Sequence, residues 1–371
     1  MKVSVNKEVF VKALNNVTRS LSQKPTLAVL ANVVIATDAG RVRLSTTNLE
    51  TGIHYWLGAK IAAEGATTVP GRVLNDFVTS LTTELAIDLE LKEEVLVVKA
   101  GESQAKLPTI AVSEFPKIPI LEGEPQLKIT GSDFAKAVLQ VAFAASFDEG
   151  RPILSGVLLK VGKKDTEIVA TDGYRLSKKK LNLSSSEDLN VIVPARNLQE
   201  VARITQDLPD ADSLGISLIN QNQILFSLPN AQVNARVLEG SYPDYEKIIP
   251  KEFVTKMTVA KTQFNQALKT ASIFARDLGN VVKISLEPED GKITFSATTS
   301  QVGEGLSTIK AEGSGQTIST AFNAKYLIEA IAAVAEAEIT FESAGPTNPA
   351  LIRGKEDSSF FCLIMPVRVQ S

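Results

Sequence analysis

The sequence predicts an α+β fold of three repeated domains, each with two helices packed on β-sheet. Three observations lead there. A strand-to-helix unit recurs at residues 3–14, 127–138 and 257–268, aligning Phe10, Phe134 and Phe264, and likewise Ala13, Ala137 and Ala267. A second helix recurs at 69–77, 193–201 and 322–330. It has a basic residue in one slot (Arg72, Arg196, Lys325) and leucine two positions on (Leu74, Leu198, Leu327). Between the helices each copy has a strand running into a Thr-rich turn, at 44–48, 168–172 and 295–299. Landmarks in constant order at steps of 124 and 130 residues are the signature of internal repeats. They divide the chain into domains 1–123, 124–250 and 251–371, an ordinary size for a domain.

Each element has its own reason. The opening strands alternate apolar and polar residues, and a polar stretch then leads into an amphipathic helix with Phe and Ala three apart on one face. The helical segments are 6–20, 71–81, 132–143, 195–207, 261–276 and 324–335. The segments 85–91 and 94–100 alternate around Lys92-Glu93, and 214–218 with 224–228 flank 220–222, so both pairs read as hairpins. A proline after an apolar residue (Pro116, Pro243, Pro366) falls near the end of each copy. Two helices per copy need a sheet to cover, which sets the α+β class. Repeated units on short linkers turn by a constant angle, which suggests an arc or a ring.

Composition removes several function classes. With one His (His54) and one Cys (Cys362) in 371 residues, the chain can form no internal disulfide, no zinc site of Cys and His ligands and no two-His metal site. No apolar run reaches the roughly 18 residues of a membrane span, and the start, Met1-Lys2-Val3, lacks a signal-peptide apolar region. A reducing, cytoplasmic setting is the expectation, with no cofactor and no metal. Phosphate-loop, dinucleotide-binding and nucleophile-elbow motifs are missing. Gly303-Glu-Gly305 and Gly313-Ser-Gly315 read as turn glycines.

Charge is unevenly spread. The net charge is −3, yet the six helical segments carry eleven Lys/Arg against six Asp/Glu, a net of +5, leaving −8 elsewhere. The basic residues are Lys7, Lys12, Arg19, Arg72, Lys136, Arg196, Arg203, Lys261, Lys269, Arg276 and Lys325. Solvated helix faces account for this as readily as a nucleic-acid surface does. If the helices share one surface, they offer a sparse positive field that holds a phosphate backbone without reading bases. Asp172, in Thr171-Asp-Gly-Tyr-Arg175, is open to two readings, a turn residue or a general base or metal ligand.

The segments Ala170-Thr-Asp-Gly-Tyr-Arg-Leu-Ser177, Val191-Ile-Val-Pro-Ala-Arg196, Gly240-Ser-Tyr-Pro-Asp-Tyr245 and Met365-Pro-Val-Arg368 resemble the β sliding clamps, the β subunits of bacterial DNA polymerase III. The opening Met1-Lys2-Val3, the Lys24-Pro-Thr26 turn and Thr68-Val-Pro70 extend the likeness over the whole chain. The resemblance implies a non-enzymatic protein of the DNA clamp fold. Two subunits joined head to tail would form a six-domain ring around duplex DNA, giving processivity to replication without reading sequence. It implies helices lining the hole, with Lys24, Arg72 and Arg151 as the most direct DNA contacts. Lys7, Lys12, Lys136, Arg196, Arg203 and Lys269 join them on the charge pattern.

A further implication is a pocket between domains two and three, where polymerase, clamp loader and other proteins insert a short peptide. Its residues here would be Leu154, Thr171, Gly173, Tyr174, Arg175 and Leu176, then Pro243, Lys247 and Ile248, then Asn323, Tyr326, Met365, Pro366, Val367 and Arg368. Leu154, Leu176, Ile248, Met365 and Val367 suit Leu or Phe anchors, and Arg175 and Arg368 suit carbonyls or acidic side chains. Ile273 and Phe274 fall at the implied subunit interface. Lys247 stands where Arg is common and Tyr174 where His is frequent, and Gln370 and Ser371 extend the tail. Two other classes fit less of the chain: a nucleic-acid-modifying enzyme using Asp172, and a peptide-binding scaffold that never touches DNA.

Overall fold

The computed structural model describes the chain except residues 23–25, 83–85, 149, 164, 184–187, 209–211, 221, 300–302 and 369–371. Lys24, Gln370 and Ser371 therefore lie outside the described residues. The predicted helices are present as α1 (Lys7–Val17), α2 (Gly71–Ser80), α3 (Gly131–Val141), α4 (Ala195–Asp207), α5 (Lys261–Ser272) and α6 (Ala324–Ala333). Three segments expected to be fully helical tighten at their ends into 3-10 turns, at Thr18–Ser20, Ala142–Ala144 and Ile273–Leu278. A tighter last turn is a common way to satisfy the final carbonyls of a helix. Asn6 caps α1 by accepting from Val9 N (3.2 Å), and Asn323 caps α6 by accepting from Lys325 N (2.9 Å).

The repeat positions occupy equivalent sites. Phe10, Phe134 and Phe264 are buried, as are Ala13, Ala137 and Ala267 and the three leucines Leu74, Leu198 and Leu327. The basic slot, Arg72, Arg196 and Lys325, is exposed in every copy. Around Phe264 the rings pack edge-on to Phe295 (4.9 Å between centroids) and stacked on Phe341 (5.8 Å). Each buried phenylalanine contributes about 1.5–3 kcal/mol by removing apolar surface from water.

By contacts the chain forms two compact units, and they do not coincide with the three repeats. One contains Met1–Ser132 and Glu200–Val237, the other Asp133–Gln199 and Leu238–Ser371. Strand pairing explains the mismatch, because sheets run on from one repeat into the next. In the first unit the long strand Thr51–Ala63 pairs with Lys2–Asn6 at one end and with Ala231–Arg236, from the second repeat, at the other. The sheet ends at the edge strand Ser103–Pro108, whose one partner among the described strands is Val95–Ala100. In the second unit Arg175–Leu181 pairs with Phe360–Ile364 in the register Arg175↔Ile364 to Lys179↔Phe360, again joining two repeats. A separate four-stranded sheet there ends at the edge strand Gly303–Lys310.

Two sequence expectations are corrected. The first hairpin turn is Glu93-Glu94, one residue later than expected, with Glu93 at φ 53° between strands Ala86–Lys92 and Val95–Ala100. Gly303, Gly305, Gly313 and Gly315 lie in strands, not loops. Gly305 serves close packing, since a Cβ there would overlap the ring of Phe274.

Candidate functional site

The site builds outward from a five-residue turn, 171–175, between the strands Thr166–Thr171 and Arg175–Leu181. Thr171 Oγ1 donates to Arg175 O (2.6 Å) and accepts from Gly173 N (3.1 Å). Asp172 Oδ1 accepts from Tyr174 N (2.9 Å) and Arg175 N (3.0 Å). Gly173 closes the turn at φ +90°, a conformation that glycine adopts without penalty. Asp172 is thus a turn-former whose second oxygen accepts from Arg175 Nε (3.0 Å), which leaves no free carboxylate for a general base.

Arg175 is tied into the chain on every side of its guanidinium. Its residue is only 7% exposed, and each end of its guanidinium already has a partner. Besides Asp172, it pairs with Glu329 on α6 and donates to Phe143 O (2.8 Å). Its guanidinium lies over the rings of Tyr326 (4.5 Å) and Phe143 (5.2 Å). The side chain staples the turn to α6 and to the end of α3. Leu176 is likewise buried, in a cluster with Leu158, Val169, Leu351 and Leu363. Thr171 spends its hydroxyl inside the turn, and Asn323 is the cap of α6.

The linker is anchored by two tyrosines that sequence reasoning passed over. Tyr242 Oη accepts from Thr171 N (3.1 Å), tying the linker to the turn. Tyr245 Oη donates to Glu167 Oε2 (2.9 Å), while Lys178 Nζ meets Glu167 Oε1 at 2.7 Å. Burial alone would raise the Glu167 carboxyl, but Lys178 and Tyr245 hold it below its usual range. Burial pushes the Tyr242 phenol up, so it stays protonated at any physiological pH. These anchors leave Pro243, Lys247 and Ile248 exposed along the linker, with Lys247 paired to Asp244 (2.8 Å). On the chain's last described stretch, Met365 N donates to Tyr174 O (2.9 Å) and Val367 N to Ala321 O (2.8 Å).

Around the turn, then, Tyr174, Ile248 and Met365 are exposed and Leu154, Pro366 and Val367 half-buried. Exposed apolar residues gathered around one turn are the ordinary make-up of an interaction surface.

Three family profiles cover nearly the whole chain. They are the N-terminal, central and C-terminal domains of the DNA polymerase III beta subunit, matching residues 1–119, 128–244 and 246–368. The chain belongs to the DNA polymerase III beta subunit family. The beta sliding clamp of Synechococcus elongatus is 30% identical to it over 376 residues, covering all of both chains. Among solved structures, the Bacillus subtilis DNA polymerase sliding clamp superposes with a TM-score of 0.92 at 27% identity, covering both chains completely. A Pseudomonas aeruginosa sliding clamp bound to griselimycin does so at 0.92 and 26%, again over the full length of each. The α+β architecture of repeated domains with two helices on sheet, read from the sequence, is that of the beta subunits.

The residues expected to meet DNA differ in exposure and in the partners they already have. Lys12, Arg72, Lys136, Arg196 and Lys269 are exposed on their helices. Lys7 is half-buried and donates to Leu81 O, and Arg203 lies 3.4 Å from Glu200. Arg151 donates to Asp172 O (2.9 Å) and pairs with Asp148 (2.9 Å), beside the fully exposed Phe147. Ile273 is 50% exposed, whereas Phe274 packs against Gly305 on the core side. Leu306, which the sequence did not single out, is 66% exposed on the edge strand Gly303–Lys310 next to Gly305. Its signal was present as an apolar residue within the stretch that its glycines made look like a loop. Among the described residues no helix is long and apolar enough to cross a membrane.

Proposed function

We propose that two copies of this chain close head to tail into a ring around duplex DNA and tether the replicative polymerase and other DNA-processing proteins to it. The chain catalyses nothing itself and works in the cytoplasm. The observation that carries this reading is that Ser103–Pro108 in the first repeat and Gly303–Lys310 in the third each end a sheet, in a chain of family-typical repeats. Each edge has unused backbone donors and acceptors, and a second copy supplies the missing partner. Ile273 and Leu306 add exposed apolar surface beside the second edge. The basic helix residues Lys12, Arg72, Lys136, Arg196 and Lys269 support sliding contact with phosphates, whose energy is the same at every sequence. The exposed residues Tyr174, Ile248, Met365 and Arg368, with Leu154, Pro366 and Val367, support a partner-peptide site held in shape by Arg175, Tyr242 and Tyr245.

The decisive experiment loads the protein onto nicked circular duplex with a clamp loader and then linearises the circle. Retention on the circle and loss from the free ends are expected; equal retention on both forms overturns encirclement. For the edges, Ile273→Asp with Leu306→Asp is expected to give a monomer by analytical ultracentrifugation, because each charge would have to be desolvated in the joint. An unchanged dimer mass would rule out that joint.

A further inference from the structure

The chain's one histidine lies beneath the segment that leads out of the first repeat. Residues 118–121 cross the line where two repeats share a sheet. There the strand Thr51–Ala63 of the first repeat pairs with Ala231–Arg236 of the second, and His54 stands opposite Gln232. Three contacts hold the segment down. Ile118 packs on Gly52, where any Cβ would overlap Ile118 Cγ2. Gln232 Oε1 accepts from Leu121 N (3.0 Å) while its Nε2 donates to Leu121 O (3.1 Å), so one side chain clasps the backbone as a neighbouring strand would. The Ile118 and Pro119 backbone lies against the His54 ring. All of these residues belong to one compact unit.

The ring is placed to be neutral. His54 is 4% exposed, with Nδ1 2.7 Å from Ser45 Oγ and Nε2 buried without a hydrogen-bond partner among the described residues. The charged groups that act on it are Arg43, on the strand Arg41–Thr47, and Asp38, on Asn32–Asp38, which pair with each other at 3.3 Å. Asp38 also accepts from Trp56 Nε1 (2.8 Å), and the repulsion from Arg43 outweighs its attraction. From the second repeat the strand presents the neutral Gln232 and Asn234. Lys117 and Glu122, the charges that flank the segment, are exposed. Burial therefore sets the balance, and a proton is accepted far more readily once the segment lifts and water reaches the ring.

We propose that residues 118–121 form an acid-released strap across the join of the first two repeats, with His54 as its trigger. The closed strap refuses the proton and the open strap takes it. Closure is accordingly at full strength above pH 6.5 and weakens as pH falls towards 4. Opening of this kind is local, so it precedes unfolding of the unit.

The test follows hydrogen exchange of the Leu121 amide in the full-length protein. Its protection is expressed against a synthetic peptide of residues 115–124 at the same pH, which removes the intrinsic pH dependence of exchange. Protection should fall about twentyfold from pH 7 to pH 5, and at both it should stay at least about tenfold below that of the amides 51–55 and 231–235. His54→Gln should hold Leu121 protection constant over the same range. Gly52→Ala, which pushes Ile118 off the sheet, should lower it by about tenfold or more already at pH 7. Three results overturn the strap: Leu121 protection in the wild type that ignores pH, protection equal to that of the two strands at both pH values, or a fall in His54→Gln as large as in the wild type. Unchanged Leu121 protection in Gly52→Ala would do the same, by showing that Ile118 does not hold the segment down.

Discussion

Replacing Arg175 with Ala is expected to destabilise the second unit by about 3–5 kcal/mol, the usual cost of removing one partner from a buried charge cluster. Asp172 would keep a buried carboxylate with one oxygen unpaired, Phe143 O would lose its donor, and Tyr326 would lose the cation over its face. Arg175→Lys is not expected to rescue it, because one ammonium cannot reach three acceptors that a planar guanidinium meets at once. Trp56, the chain's one tryptophan, lies in the first unit, so its fluorescence transition should hardly move. Hydrogen exchange in the strands Arg175–Leu181 and Phe360–Ile364 should accelerate instead. A loss below about 1 kcal/mol would show that the cluster's desolvation nearly cancels its attraction.

A second large effect should appear in acid, and in the other unit. His54 is buried in the strand Thr51–Ala63, with Nδ1 2.7 Å from Ser45 Oγ. Burial, with the nearby Arg43 guanidinium, lowers its pKa from 6.5 to about 4, against a smaller opposite pull from the Ile118 and Pro119 backbone and Asp38. Between those values the unfolded chain binds a proton that the folded chain refuses. Stability contributed by the neutral ring is therefore full above pH 6.5 and falls as pH drops towards 4, by about 3 kcal/mol in all. Trp56, whose ring centroid is 5.6 Å from that of His54, reports the transition directly. Urea unfolding at pH 7 and at pH 4 should differ by that amount more in the wild type than in His54→Gln. Parallel pH slopes for the two proteins would contradict the assignment.

Much of the fold was legible because repeats amplify weak signals. A single Phe-x-x-Ala pattern means little, but the same pattern three times, each time buried, reports three equivalent helix–sheet contacts. The ends of the elements were less legible. The 3-10 turns after α1, α3 and α5 depend on how the last carbonyls are met, which periodicity does not encode. Glycine misled at 303–315, because close packing against Phe274 and a turn demand the same residue type. At the site, the motif around Thr171 to Arg175 was found, yet Arg175 was given to a partner. A surface cation and a buried staple have the same one-letter code, and the contact with Glu329, 154 residues away, is not written in the local motif.

By itself, the sequence determined the six helices, the number of repeats and the positions that face the core. Those follow from local periodicity and composition, which every residue carries regardless of its neighbours in space. Tertiary structure alone decided which strands join the repeats, which sheet edges stay free, and which charges are already spent. Pairing, burial and desolvation are properties of residues brought together from far apart in the chain, so no reading along the chain contains them.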